Sequence, residues 1–367
     1  MTGSGGAWEA LVPAERLRRL NIDARGAHVD VHGWSTAAVH VLARRRSGEP
    51  FDPAGVHVRR SPGRVYVEVE RGRWPFSPGD LELLISAPQD AEVTIDQSNG
   101  GVHVTGMQGR LSIDAQSGPV RVTGGESVNV DTAGGPVEVR HVHGRVYIDT
   151  AGGGVFVEDA GGPVVVDTAA GPVRAVGIMG SLRIDTGTGS VYVERARGDI
   201  MIDTGHGDVR LVDIFSPRIY VDAGGGNTTG EFAVLENGYY RFESTSGEIR
   251  LYLPAGSSCE IAAETGHGTV RSNLPLRVHL QRPHQLRGIL GSGRAVVRIE
   301  SARGDIVLGQ RREAGAARSE DIAEANRGHR RRQAELAILQ LVAEGKAEPE
   351  EAVRLLTALE DDHTGKG

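Results

Sequence analysis

Cysteine, lysine and aromatic residues are scarce in this chain of 367 residues, and each scarcity excludes a class of protein. The single cysteine, Cys259, cannot form an internal disulfide or a cysteine-based zinc site, so the fold is not cross-linked. Lysine occurs only at Lys346 and Lys366, and the formal net charge of −7 argues against a general nucleic-acid binder, which needs a basic surface. Aromatic residues make up only 4% of the chain, fewer than the core of a globular enzyme of this size usually holds.

A long apolar run is also missing. No stretch approaches the roughly 18 apolar residues that a membrane-spanning helix needs. The first twenty residues lack the basic-then-apolar order of a signal peptide, because Glu9 and Glu15 interrupt them. We therefore expect a cytoplasmic protein with no transmembrane segment; peripheral association with a membrane or cell wall is the alternative. No motif indicates a cofactor.

What the chain does contain is glycine, 52 residues of it, and an internal repeat. Residues 146–173 read VYIDTAGGGVFVEDAGGPVVVDTAAGPV, in which the I-D-T-A-G-G pattern is written and then nearly repeated. The aspartate of this step recurs at intervals of 18, 17, 18, 18, 18, 18 and 19 residues, as Asp96, Asp114, Asp131, Asp149, Asp167, Asp185, Asp203 and Asp222. So constant an interval indicates a repeat architecture.

Within each unit, apolar residues alternate with polar ones, as Val146, Ile148, Val155 and Val157 do. Period-two alternation predicts two short strands per unit, each with one face turned inward, and glycine-rich turns separate them. A chain that turns about every 9 residues and recurs about every 18 winds into a coil whose successive turns stack about 4.8 Å apart. We therefore predict an all-β fold, a single-stranded β-solenoid (β-helix) of ~18-residue coils, rather than a sandwich or a propeller.

The regularity of the repeat varies along the chain and predicts its organisation. One coil alone buries too little apolar surface to be stable, so the stack needs a cap at each end. We predict an N-terminal segment (1–19), a β-solenoid (20–310), a linker (311–330) and a helical hairpin (331–360). The solenoid itself divides into an N-terminal cap region (20–90), regular coils (91–231) and irregular last coils with a cap (232–310).

The C-terminal segment 331–360 has a helical period. Gly345 is expected to stop one helix and Pro349 to start the next. A hairpin of about 30 residues is too small to be stable alone, so it would dock on a partner or a second copy of the chain. The predicted partner-binding residues are its apolar stripes, Leu336, Leu339, Val342, Val353, Leu356 and Leu359.

Several stretches, among them LELLISAP, AEVTIDQSNGGVHVTG, STSGEIRLYLPAG and GSGRAVVRIESARGDIVLG, resemble the bacterial putative-adhesin β-strand-repeat family, a domain of unknown function. The resemblance covers about residues 20–310 and implies the fold, with no catalytic residues to carry over. The stretch ILQLVAEGKAEPEEAVRLLTAL resembles the SHOCT-like helical hairpin of LiaX-like and YvlB-like envelope-stress proteins, in which the module usually comes first rather than last.

The aspartates are the most suggestive side chains, since alternation turns them outward in one line. Two such charges 4.8 Å apart repel by about 0.9 kcal/mol in water, so something must compensate. We expect Asx-type turns, in which each carboxylate accepts a turn N–H and the hydroxyl of the following threonine. The alternative is a ladder of bridging calcium ions on Asp114, Asp131, Asp149, Asp167, Asp185 and Asp203.

Other reactive side chains show no catalytic pattern. The histidines in or beside the turns, His141, His143, His206 and His267, have no partner at metal-ligand spacing. Cys259 shows no sign of activation. We therefore expect no metal, no cofactor and no enzymatic activity.

These observations favour a non-catalytic scaffold or adaptor protein, and the resemblance implies a role in bacterial cell-envelope stress. Its expected partner binds through the C-terminal helical hairpin, or the hairpin self-associates. One alternative is an adhesin-like or glycan-binding or glycan-acting β-helix protein. Another is a solenoid that assembles end to end into filaments.

Overall fold

The computed structural model of the chain describes residues 2–4, 7–50, 53–70, 80–311 and 338. These residues form strands almost throughout, with one short 3-10 segment at Pro53–Gly55. The N-terminal strands are β1 (Thr2–Ser4), β2 (Ala7–Pro13), β3 (Arg19–Ala24), β4 (Ala27–Trp34), β5 (Ala38–Arg45), β6 (Val56–Ser61), β7 (Arg64–Val69) and β8 (Leu81–Pro88).

The regular strands follow at even intervals. They are β9 (Glu92–Gln97), β10 (Val102–Met107), β11 (Arg110–Ala115), β12 (Val120–Gly124), β13 (Ser127–Thr132), β14 (Val137–Val142), β15 (Val146–Thr150), β16 (Val155–Ala160), β17 (Val164–Ala170), β18 (Val173–Ile178), β19 (Leu182–Thr188), β20 (Val191–Ala196), β21 (Ile200–His206), β22 (Val209–Ile214), β23 (Arg218–Ala223), β24 (Thr228–Phe232), β25 (Tyr239–Ser244) and β26 (Ile249–Leu253). The last are β27 (Cys259–Thr265), β28 (Val270–Ser272), β29 (Arg277–Arg282), β30 (Gln285–Leu290), β31 (Ala295–Ser301) and β32 (Ile306–Gln310).

The strands form two 16-stranded sheets that share one hydrophobic core. From β9 to β26 the chain alternates between them, the even strands entering sheet A and the odd strands sheet B. Neighbouring strands are parallel and one coil apart in sequence, so that Val146 pairs with Val128 on one side and Val164 on the other. Each coil thus adds one strand, or rung, to each sheet. The predicted β-solenoid is confirmed.

The core is a thin column of aliphatic side chains between the sheets. Val146, Ile148 and Val157 are fully buried and Val155 is 2% exposed, as the alternation predicts. On the sheet A strands a further apolar residue is buried, because the residue before it adopts a left-handed conformation and shifts the alternation by one position. In β14 this residue is His141, with φ of 55°, and Val142 behind it is buried. The same arrangement recurs at Ala160, Ile178, Ala196 and Ile214.

Glycines stack where the chain turns from sheet B to sheet A. A Cβ atom built on Gly153 would lie 2.2 Å from the carbonyl oxygen of Gly135 in the preceding coil, and Gly153 has φ of +104°. The backbones of successive coils therefore approach too closely at this corner for any side chain. The same conflict recurs along the stack at Gly118, Gly135, Gly171, Gly189, Gly207, Gly226 and Gly247.

The two ends of the stack depart from chain order. Strands β3 and β4 lie between the β7–β8 coil and the β9–β10 coil, and strands β31 and β32 lie between the β25–β26 coil and the β27–β28 coil. Antiparallel strands complete both ends: β1, β2 and β5 on sheet A, β6 and the β29–β30 hairpin on sheet B. The β29–β30 hairpin lies within the stretch predicted to hold the irregular last coils, residues 232–310.

The predicted helical hairpin and its role as the partner handle are corrected. The complete elements among the described residues are strands and the 3-10 segment, and Ile338 is the only described residue of the predicted hairpin. The predicted contact residues Leu336, Leu339, Val342, Val353, Leu356 and Leu359 lie outside the described residues. The described core is formed by the two sheets alone, so no described contact shows the hairpin docking on the solenoid. No described helix is long and apolar enough to cross a membrane.

The glycine corners generate a stability prediction. Gly153→Ala places a methyl group against the Gly135 carbonyl, and we expect it to lower the free energy of unfolding by about 2 kcal/mol or more. Gly152 in the same turn has open space around its Cβ position. We expect Gly152→Ala to change stability by about 0.5 kcal/mol at most. Urea unfolding followed by circular dichroism measures both, and equal losses would contradict the close approach.

Candidate functional site

Sheet B presents a single file of carboxylates on its outer face. One acidic residue per strand occupies the same register position on thirteen neighbouring strands, in the order Glu68, Asp23, Asp96, Asp114, Asp131, Asp149, Asp167, Asp185, Asp203, Asp222, Glu243, Glu300 and Glu264. We call this file the acid row. The alignment of the eight aspartates is confirmed. Sequence reasoning missed the other five because they lie outside the regular interval or are glutamates.

The ends of the acid row are neutralised and its middle is not. Arg25 Nε lies 2.9 Å from Asp23 Oδ1 at one end, and Arg241 Nε donates to Glu243 Oε1 at 2.8 Å near the other. In the middle, Asp185 has only Arg183 at 3.9 Å. Six carboxylates form no ion pair or side-chain hydrogen bond within the described residues: Asp114, Asp131, Asp149, Asp167, Asp203 and Asp222.

The middle of the acid row is consequently self-repelling. Partial burial, and then the charges of Asp96 and Asp131, raise the pKa of Asp114. Burial, and then Asp167 and Asp131, raise the pKa of Asp149. Both groups hold their protons to a higher pH than a free carboxyl, first because burial disfavours the charged form and then because each neighbour one rung away opposes ionisation. The row therefore lowers stability at neutral pH and leaves negative potential uncompensated on this face.

Threonine, and not aspartate, closes the turns after Asp131 and Asp149, contrary to expectation. The hydroxyl of Thr150 donates to the carbonyl oxygen of Gly152 at 2.8 Å, and the Gly152 N–H donates back to that hydroxyl at 3.2 Å. Thr132 forms the same pair of hydrogen bonds with Gly134. Thr150 is buried and Asp149 points outward, so the two side chains lie on opposite faces of the strand. The carboxylates thus remain available to solvent.

The calcium ladder stays an alternative hypothesis. Each rung contributes one carboxylate, so an ion between two rungs would contact two carboxylates. Calcium takes six to eight oxygen ligands. Among the residues that the structure describes, no group of three or more His, Cys, Asp or Glu is arranged to hold a metal ion. Solvent or a partner molecule would have to supply most of the ligands.

Sheet A presents a different outer face, on which charges are matched. The guanidinium of Arg174 lies 4.7 Å from the ring centroid of Tyr192 and 6.0 Å from that of Phe156. Arg140 Nε lies 2.7 Å from Glu138 Oε1 and its guanidinium is 5.2 Å from the Phe156 ring. Arginines here alternate with aromatic and acidic residues, so this face stabilises the stack and carries little net charge.

The other side chains considered from the sequence are not brought into one site. Cys259 is buried, and burial raises the pKa of its thiol to about 12, so it stays protonated. His141 Nδ1 lies 3.3 Å from Asp159 Oδ2, while His143, His206 and His267 belong to no metal-type cluster within the described ranges. Neither a nucleophile–base pair nor a metal cluster emerges from these residues.

The family model of the Toastrack DUF4097 family matches residues 76–308. No curated protein matches the chain. A putative cell adhesion protein of Clostridium sporogenes is similar at 12% identity, over 84% of this chain and 100% of that one, with a TM-score of 0.21. A putative adhesin of Bacteroides fragilis and a putative lipid binding protein of Parabacteroides distasonis are similar as well. Each is 9% identical over 83% of this chain and 98% of the other, with TM-scores of 0.28 and 0.31 respectively. Likenesses this weak support no argument about function.

The raised pKa of Asp149 generates a prediction about pH. A carboxyl whose pKa is raised on folding is protonated more readily in the folded state, so its ionisation costs stability at high pH and nothing at low pH. Asp149→Asn removes that charge, and we expect it to raise the free energy of unfolding at pH 7 and low salt by on the order of 1 kcal/mol. The gain should shrink as the pH falls towards about 4 and as salt approaches 1 M.

Asp305 is the matched control for this prediction. Its Oδ1 accepts hydrogen bonds from the Thr269 N–H at 2.7 Å and the Thr269 hydroxyl at 3.1 Å, and these lower its pKa. The ionised form of Asp305 therefore stabilises the fold above the pKa of the unfolded chain, and we expect Asp305→Asn to destabilise the protein at pH 7. Urea midpoints across pH measure both variants. A loss of stability in Asp149→Asn would contradict repulsion along the acid row.

Proposed function

The chain belongs to the Toastrack DUF4097 family, and from that premise and the outer faces of its solenoid we propose that it is a non-catalytic, adhesin-like binding protein. Its partner is an extended molecule carrying positive charge, bound along the outer face of sheet B. The observation that carries the proposal is the middle of the acid row, where six carboxylates have no protein partner within the described residues. A partner's cations would relieve the repulsion that folding leaves there.

The geometry of the acid row favours an extended partner over a small one. The carboxylates stand about 4.8 Å apart along the stack, so a small cation meets only one or two of them. Each exposed ion pair contributes only about 0.2–1 kcal/mol. Useful affinity therefore requires a partner that spans many rungs at once, and the stack of paired strands holds those rungs in a fixed line.

The proposal of a non-catalytic role rests on how the acidic groups are arranged. Glycan-cleaving enzymes use two carboxylates on either side of the bond that breaks, one of them with a strongly tuned pKa. On sheet B the carboxylates stand side by side on an open face, at the same register position on successive strands. This arrangement suits binding, and the absence of enzymatic activity remains a proposal.

The other roles expected from the sequence receive less support. The envelope-stress scaffold depended on the C-terminal segment, which lies outside the described residues apart from Ile338. Filament growth by end-to-end stacking is opposed by the antiparallel strands at both ends of the solenoid. A cytoplasmic location stays a prediction, and the proposed contact works by the same physics in any compartment.

Oligolysine is a simple probe of the acid row. We expect the purified chain to bind immobilised oligolysine at low salt and to release it as salt rises. The triple variant Asp131→Asn, Asp149→Asn, Asp167→Asn removes three adjacent charges and should weaken binding by about threefold to a hundredfold. Surface plasmon resonance measures the affinity, and circular dichroism checks that the variant is folded.

A matched triple variant on sheet A separates position from net charge. Glu138→Gln, Glu158→Gln, Glu194→Gln changes the formal charge by the same amount on the opposite face, where arginines already neutralise these groups. We expect it to change oligolysine affinity by about twofold at most. Equal losses in the two triple variants, or no binding by the wild-type chain, would reject the proposed contact along the acid row.

A further inference from the structure

A shallow recess lies on the outer face of sheet B, beside the acid row. It has a volume of about 210 Å³ and spans the strands β11, β13 and β15. The recess exists because the outward residues of β13, Ser127 and Asn129, are short. Longer side chains on the neighbouring rungs, Arg110, Arg145 and Tyr147, rise around them.

The register places two arginines on either side of one serine. Arg110 pairs with Ser127 across the β11–β13 ladder. On the other side Val128 pairs with Val146, and the Val128 N–H donates to the Arg145 carbonyl at 2.9 Å, so Arg145 follows Ser127 one rung further along. The two arginine backbones are therefore about two rungs, or 9.6 Å, apart. One anionic group above Ser127 is within reach of both guanidinium groups.

The positive charge of the recess is not used up by neighbouring acids. Arg145 forms no ion pair with any described residue. Arg110 lies 3.4 Å from Glu126, but both side chains are mostly exposed, at 70% and 62%, so this contact is weak. Glu92, the acidic residue that also lines the recess, is already paired with Arg19 through bonds of 3.1 and 2.8 Å.

The remaining groups fit a sugar. Ser127 and Asn129 offer a hydroxyl and an amide, and Tyr147 is 36% exposed and offers an aromatic ring with a phenol group. An apolar ring face beside several donors and acceptors suits a molecule that has both C–H faces and hydroxyl groups. The volume is below the range of about 300–1,000 Å³ typical of pockets that enclose a whole small molecule, so one ring unit would occupy it.

We propose that this recess binds an acidic sugar unit of a glycan, a uronic acid. Its carboxylate accepts hydrogen bonds from the guanidinium of Arg145, assisted by Arg110, and its ring lies against Tyr147. The planar guanidinium matches a carboxylate with two parallel hydrogen bonds. Because the recess is open, the rest of the glycan remains in solvent, away from the acid row. This site goes beyond the proposed function, since it uses cations of the protein and not the acid row.

Trigalacturonic acid is the probe, with maltotriose and sodium acetate as the neutral-sugar and bare-anion comparisons. We expect calorimetry to show that the chain binds trigalacturonic acid, and that maltotriose and acetate each bind at least about tenfold more weakly. Arg145→Gln and Tyr147→Ala should each weaken binding by about tenfold or more. Arg183 is an exposed arginine on the same face, outside the recess. Arg183→Gln should leave the affinity for trigalacturonic acid unchanged.

Three results would overturn the proposal. They are no binding of trigalacturonic acid, equal binding of acetate with no effect of Tyr147→Ala, and an equal loss in Arg183→Gln. Failure here and failure of the acid-row proposal are distinguishable in the same set of proteins. The acid-row triple variant should bind trigalacturonic acid at least as tightly as the wild-type chain, because it removes negative charges near the recess, and Arg145→Gln should retain oligolysine binding.

Discussion

The parallel hydrogen bonding of each coil to the next is the constraint on which the rest of this structure depends. It fixes adjacent coils one strand spacing apart, so every residue lies directly beside its equivalents in two neighbouring coils. In the core this places Val146 between Val128 and Val164 and builds one continuous aliphatic column. At the corner it brings backbones so close that only glycine fits, as at Gly153. The column is a thin layer of side chains between the two sheets.

The same constraint acts on the surface, where it places equivalent residues of successive coils side by side. When these residues carry the same charge, they repel each other. Sheet A resolves it by alternating chemistry, so that Arg174 lies between the rings of Phe156 and Tyr192. Sheet B repeats an acid on rung after rung, and after partial burial these neighbouring charges add to the raised pKa of Asp149. The two faces of one solenoid therefore differ in kind. One stabilises the stack through its own contacts, and the other leaves charge for a partner to neutralise.

A strict interval made much of this structure predictable from sequence. Alternation identified the inward residues, and a constant period aligned the aspartates before any coordinates. The burial of Val142 was not predicted, because His141 adopts a left-handed conformation that shifts the alternation by one residue. No feature of the sequence marks His141 as left-handed. The pairing of β3 with β9 was not predicted, because the order of the strands in the sheet differs from their order in the chain at the ends of the stack. Both threonine and aspartate can close a turn, so the choice of Thr150 needed side-chain positions.

The recess could also have been predicted from the sequence, by comparing equivalent positions in successive coils. Read down the stack, one column runs Arg110, Ser127, Arg145, and the neighbouring column places Asn129 before Tyr147. Short residues between long ones in such columns predict a depression in the sheet surface. Periodicity along the chain cannot show this, because the neighbours that form the recess are a whole coil apart.

The most direct test of the stacked register is a pair of distances measured by pulsed electron paramagnetic resonance. Spin labels would be attached to cysteines introduced as Asp131→Cys with Asp203→Cys, and as Asp96→Cys with Asp222→Cys, in a chain carrying Cys259→Ala. The first pair is separated by four rungs and the second by seven. The account predicts separations near 19 Å and 34 Å, set by the strand spacing alone. Distances that do not grow in proportion to the number of rungs would contradict it.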